Sequence, residues 1–136
     1  MSLDKTITFL LLGAALGLSS CSTDPDAARL ATEVRAGEGD AQGLYNGSYA
    51  AEQAGKISSA LKGYKKINRL YPMSPVAADS QYRASRLLQA DGDLLKAFDS
   101  YDLFLKNYPA SSHYADAIKQ QENIAHNVAS GHIKNS

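Results

Sequence analysis

Few side chains in this sequence could do chemistry, and one stands apart. Cys21 is the only cysteine among 136 residues, so it can form no intrachain disulfide and belongs to no cysteine-rich metal site. Its thiol is the chain's one soft nucleophile. His113, His126 and His132 are the only histidines. His126 and Glu122 stand four apart on one helical face, but no second His or Cys lies at ligand spacing, so no metal is expected. Asp91-Gly92-Asp93 imitates the opening of a calcium loop but lacks the remaining acidic positions and the terminal Glu, and it reads as a turn. No serine sits in a Gly-x-Ser-x-Gly elbow. The expectation is a non-enzyme with no cofactor and no small-molecule substrate.

The residues ahead of Cys21 give its thiol a different use. Lys5 and the α-amino group supply a modest positive start, weakened by Asp4, and Ile7 to Leu18 is an apolar run of about a dozen residues. That length suits the apolar segment of a signal peptide and falls short of the ~20 residues a spanning helix needs. Leu18-Ser19-Ser20-Cys21 then resembles a bacterial lipobox, with a leucine and two small residues before the cysteine. The resemblance implies a diacylglycerol thioether on Cys21, cleavage just before it and acylation of the new amino terminus. Several acyl chains, each methylene worth ~0.8 kcal/mol, would hold the protein at a membrane. Position 22 is Ser rather than Asp, which by resemblance to sorting signals implies the outer membrane, lipid-anchored and facing the periplasm.

The rest of the chain must be positioned by an ordinary folded domain. Apolar residues make up 44% and charged residues 21%, which argues against wholesale disorder. Lys plus Arg and Asp plus Glu number 14 each, and removing residues 1–20 takes one of each sign. With no net basic field, nucleic acid is not an expected partner. Residues 1–20 read as a signal peptide and 21–40 as a lipidated tether, because small polar residues and Gly37-Glu38-Gly39-Asp40 favour a linker with about two turns of helix. Residues 41–130 read as the domain, and 131–136 as a tail.

Within the domain the sequence matches itself at a step of 37. Gly55 falls on Gly92, Ala60 on Ala97, Tyr64 on Tyr101, Ile67 on Phe104, Tyr71 on Tyr108, Pro72 on Pro109 and Ser74 on Ser111. Tyr45 falls on Tyr82 and Asp79 on Asp116. Gly55 and Gly92 suit the left-handed position that ends a helix, and Asp93 can accept from the amides that open the next. Apolar positions 57, 60, 61, 64, 67 and 71, repeated at 94, 97, 98, 101, 104 and 108, form one helical stripe. Pro72 and Pro109 stop these helices, Ser74 is expected to cap the following one, and Pro75 suits its first position. The spacing predicts helices over about 41–54, 56–71, 75–90, 93–107 and 112–129, the last with Tyr114, Ala115, Ile118, Ala125 and Val128 as its apolar face.

Pairs of this length, with Ala early in the second helix, an aromatic four residues later and Pro at the end, resemble the tetratricopeptide repeat. The resemblance implies an all-α solenoid of antiparallel helix pairs, about two and a half repeats long. The phrasing Tyr71-Pro72-Met73-Ser74, Asp79-Ser80-Gln81-Tyr82-Arg83-Ala84 and Tyr108-Pro109-Ala110-Ser111, together with the lipobox, resembles the BamD family of outer-membrane assembly lipoproteins. What this implies is a non-catalytic scaffold for inserting β-barrel proteins. Its partners would be the barrel-assembly outer-membrane subunit and related lipoproteins, with the membrane itself held through acyl chains on Cys21. The Tyr-Pro-x-Ser phrasing is shared with the periplasmic coordinator of the Tol–Pal system, which leaves an adaptor of that kind as the alternative. In tetratricopeptide domains the first helix of each pair lines the concave surface. Here that surface would carry Tyr45, Tyr49, Glu52, Tyr82, Arg86, Gln89, Lys119, Asn123 and His126. Tyr45 and Tyr82 fit a repeating core position equally well, and Arg86 and Lys119 equally fit solvated charges.

Overall fold

A computed structural model describes residues 25–131. Cys21, the apolar run before it and His132 lie outside the described residues. Five helices and no strands occur among those described: α1 (Pro25–Gln53), α2 (Ile57–Leu70), α3 (Ala77–Ala90), α4 (Leu94–Asn107) and α5 (Tyr114–Ala129). Each helix packs against the next one along the chain.

The turns follow from a few residues. Gly55 has φ +70° and Gly92 φ +85°, conformations that a Cβ would strain. At the first, the Gly55 amide donates to the Glu52 carbonyl at 3.0 Å and the Lys56 amide to the Ala51 carbonyl at 2.8 Å. At the second, Gly92 donates to Gln89 at 3.1 Å and Asp93 to Leu88 at 3.0 Å. Both are Schellman closures, which satisfy carbonyls left over at a helix end. The Asp93 side chain accepts from the Lys96 amide and caps α4, as expected, whereas Lys56 at the matching place has no side-chain cap to offer α2.

Two boundaries differ from the expectation. α1 is one helix of 29 residues that begins at Pro25 and runs straight through Gly37-Glu38-Gly39-Asp40. A glycine in a helix costs about 1 kcal/mol relative to alanine, which weakens a helix without breaking it. Gly37 has a use: the Tyr71 ring lies over it, 3.7 Å from where a Cβ would stand, and the Tyr71 hydroxyl reaches Asp40 at 3.4 Å. Ser74 does not cap α3. The Ser74 amide donates to the Tyr71 carbonyl and the Ala77 amide to the Ser74 carbonyl, both at 3.0 Å, so two successive tight turns use up residues 71–76 and α3 starts at Ala77. The Ser74 hydroxyl is left buried without a hydrogen-bond partner among the described residues.

The core divides into two clusters that share Leu61 and Tyr108 at their boundary. Ala60, Tyr64, Ile67 and Leu87 belong to the first, and Ala97, Tyr101, Phe104 and Ile124 to the second, each one 37-residue step from its counterpart. Ala60 and Ala97 are wholly buried where helices approach closely, and Tyr64, Tyr101 and Phe104 fill the largest buried volumes. Burial of each aromatic is worth about 1.5–3 kcal/mol.

The inner face of α5 is not the one expected. Ala117 and Ile124 are buried, while Ala115, Ile118, Ala125 and Val128 are exposed. The helix carries apolar residues on two faces. The one that packs on the preceding pair matches Ser80 and Leu87 of α3 after the 37-residue step, and one residue of misreading turns a helix by about 100°. Ile124 therefore belongs to the core and not to an open outer surface.

Candidate functional site

The 37-residue step extends from apolar contacts to polar ones. The Tyr45 hydroxyl donates to the Asp79 carboxylate, and the Tyr82 hydroxyl donates to Asp116, across the same separation of 34 residues. The Tyr64 hydroxyl donates to Glu52 at 2.6 Å, and the Tyr101 hydroxyl to Gln89 at 2.8 Å, each across 12 residues. Each first helix is thus tied by tyrosine to the first helix of the next pair, and by an acceptor side chain to its own second helix.

The two copies differ in charge at their centre. In the first, Arg83 bonds Asp79 at 2.7 Å and the Tyr45 hydroxyl at 3.0 Å, and approaches Glu52 at 3.4 Å. In the second, Gln120 takes the place of Arg83 and Gln89 that of Glu52. Gln120 donates to Asp116 at 3.4 Å, and Gln89 to Gln120 at 3.0 Å. A guanidinium in the first copy and a pair of amides in the second therefore link the same positions.

Titration follows from these bonds. Burial alone would raise the Asp79 carboxyl, but the bonds from Tyr45 and Arg83 outweigh it and hold it below the ordinary value. Asp116 is also held low, chiefly by the Tyr82 hydroxyl. Burial, with the acidic acceptor adding to it, pushes Tyr82 up to about 12 and Tyr64 higher still. Burial likewise raises Tyr101. At neutral pH the tyrosines stay protonated donors and the carboxylates stay ionised acceptors.

Around Arg83 the network opens into a recess of about 240 Å³ between α1 and α3, lined by Glu52, Asp79, Tyr82, Arg83, Arg86 and His113. The His113 ring, from the α4–α5 turn, stacks on Tyr82 with centroids 4.2 Å apart, and its Nε2 lies 3.1 Å from Asp79 Oδ1. The Tyr49 ring stacks beside Tyr45, and the Arg83 guanidinium carbon stands 4.8 Å from the Tyr49 centroid, within cation–π range.

Of the nine surface residues expected from the sequence, Tyr45, Tyr49, Glu52, Tyr82 and Arg86 gather around this recess. Tyr82 is buried, Tyr45 is half-buried with its hydroxyl spent on Asp79, and Tyr49 and Arg86 face solvent. Gln89 sits one network further on, against Gln120 and Tyr101. Lys119, Asn123 and His126 are exposed along α5 and line no part of the recess. Sequence reasoning missed Asp79, Arg83 and His113 as members. The Asp79 to Arg83 spacing of four, and the pairing of Tyr45/Tyr82 with Asp79/Asp116 at one common separation, were the signals available.

The Glu52 and Asp79 carboxylates of the recess already accept hydrogen bonds, and its lining includes no serine, threonine, cysteine or lysine. Among the described residues no group of three or more His, Cys, Asp and Glu is arranged to hold a metal ion. No helix among them is long and apolar enough to cross a membrane. No protein-family model, curated protein or solved structure matches the chain.

Proposed function

We propose that the protein is a non-catalytic scaffold, acylated at Cys21 and held at the periplasmic face of the outer membrane, that works in the assembly of β-barrel membrane proteins. In this reading its two helix pairs are tetratricopeptide-like repeats of a short α-solenoid. The observation that carries it is the recurrence of one bonding scheme, Tyr45–Asp79 with Tyr64–Glu52 and Tyr82–Asp116 with Tyr101–Gln89, at one fixed step. Stacked pairs that each bury a shared seam are how such repeats gain stability. Leu18-Ser19-Ser20-Cys21 supports the anchor, and Tyr71-Pro72-Met73-Ser74 with Tyr108-Pro109-Ala110-Ser111 supports the link to barrel assembly. Tyr49 and Arg86, exposed at the rim of the recess, are of the types that dominate binding hot spots.

Affinity capture from detergent-solubilised membranes tests the partner. The barrel-assembly subunit is expected among the captured proteins, and its recovery should drop when Tyr49 and Arg86 are both changed to Ala. Capture of Tol–Pal components instead would replace barrel assembly by an adaptor role there.

A further inference from the structure

The net charge of the chain is zero, yet α2 is strongly basic on its outer side. Its 14 residues include Lys62, Lys65, Lys66 and Arg69 and no Asp or Glu. These four cations are exposed and rim a shallow recess of about 560 Å³ floored by Leu61 and Ser58. Steps of three and four put them on one face. Lys62, Lys66 and Leu70 form one row along the helix, and Lys65 and Arg69 the next.

Those rows lead directly into the apolar patch at the far end of the helix. Leu70 and Met73 stand exposed there, Met73 at 94%, beside Leu30 and Val34 from the first half of α1. The four surround a second recess of about 420 Å³ whose α1 rim also carries Glu33 and Glu38. Exposed apolar patches mark contact surfaces, and cations beside them favour an anionic lipid interface. Pro25, the first residue of α1, follows Cys21 by only four residues, a span of at most about 14 Å of extended chain. Acyl chains on Cys21 would keep this patch at the lipid surface.

We propose that Lys62, Lys65, Lys66 and Arg69, with Leu30, Val34, Leu70 and Met73, form a docking face for an anionic phospholipid surface. The face lays α2 along the bilayer, with the cations over lipid phosphates and the apolar side chains among the upper methylenes. It turns the opposite side of the molecule, with the recess around Arg83, away from the membrane. The orientation rests on the acylation reading, but the affinity of the face for anionic lipid does not.

The test is co-sedimentation of the purified full-length Cys21→Ala chain, which can carry no acyl anchor, with vesicles of phosphatidylcholine alone and with phosphatidylglycerol mixed in. Each cation near such a surface multiplies binding about fivefold. Lys62→Gln, Lys66→Gln and Arg69→Gln together should therefore weaken binding to the phosphatidylglycerol vesicles by about a hundredfold and leave binding to phosphatidylcholine unchanged. Added salt should abolish the difference. Leu30→Ser with Met73→Ser should weaken binding to both kinds of vesicle. Circular dichroism checks that the variants keep their helices. Equal binding of the Cys21→Ala chain with its cations intact to both vesicles, or binding to phosphatidylglycerol that survives the triple substitution, overturns the proposal. Salt-sensitive capture of polyglutamate without any phosphatidylglycerol preference overturns it in favour of an acidic protein partner. Palmitate labelling of the chain and of Cys21→Ala tests the anchor separately, so either reading can fail while the other stands.

Discussion

A Cβ on Gly63 would stand 1.9 Å from the Ser48 hydroxyl oxygen and 3.0 Å from the Ser48 Cβ, so α1 and α2 cross where there is no space for a methyl group. One step of 37 residues on, the matching positions are Ser85 and Ser100, and their hydroxyls bond to each other at 2.8 Å. Both crossings need small side chains, and each copy meets the need in its own way.

Gly63→Ala should therefore destabilise the protein even though alanine is the better helix former. The Ser48 hydroxyl can rotate away only by giving up its 2.7 Å bond to the Leu44 carbonyl, and the Cβ atoms remain too close. The expected loss is about 1–3 kcal/mol, the range for overpacked interiors. Urea unfolding measures it, and adding Ser48→Gly should recover part of it. A gain in stability for Gly63→Ala would mean the helices are free to separate at this point.

Arg83 offers a test of the equivalence between the two polar networks. Arg83→Gln alone leaves Glu52 and Asp79 without their cation and should cost about 1–2 kcal/mol. Glu52→Gln with Arg83→Gln recreates the Gln89–Gln120 pair of the second copy and should lose less than the two single changes summed. A double-mutant cycle reads the coupling directly.

Acid should weaken the fold through Asp79. Its folded carboxyl titrates below the ordinary value of 3.8, so its contribution is complete above that value and disappears as pH falls below it toward the folded value. Thermal unfolding below pH 4 should show the loss, and Asp79→Asn should be less stable at neutral pH and less sensitive to acid. An unchanged acid slope in that variant would remove Asp79 from the explanation.

Alkali should act through the tyrosines, with the opposite sign. Tyr82 is raised from 10.0 to about 12, so its contribution is complete below pH 10 and is lost as pH rises through 12. Phenolate absorbance should show a late-ionising group that Tyr82→Phe removes.

Much of this architecture was legible because its punctuation is chemical. Gly55, Gly92, Pro72 and Pro109 mark helix ends by backbone constraint, and four of the five helices begin and end within two residues of where that spacing puts them, apart from the start and reach of α1. α1 was misjudged because two glycines signal a break only when nothing else favours helix, and the Tyr71 ring over Gly37 is invisible from composition. The face of α5 was ambiguous because Ala117 and Ile124 compete with Ile118 and Val128, and only packing decides between them. The polar site was harder. Hydrogen bonds such as Tyr45–Asp79 join residues 34 apart, and no local pattern announces them until the repeat is written out twice.

Depletion of the protein in living cells tests its role in barrel assembly, with the folded fraction of outer-membrane β-barrels measured by their heat-modifiable migration. A scaffold of barrel assembly predicts that the folded fraction falls while precursors accumulate. It also predicts that Cys21→Ala, supplied in place of the natural chain, restores little. Barrels that fold at an unchanged rate without the protein would rule that role out.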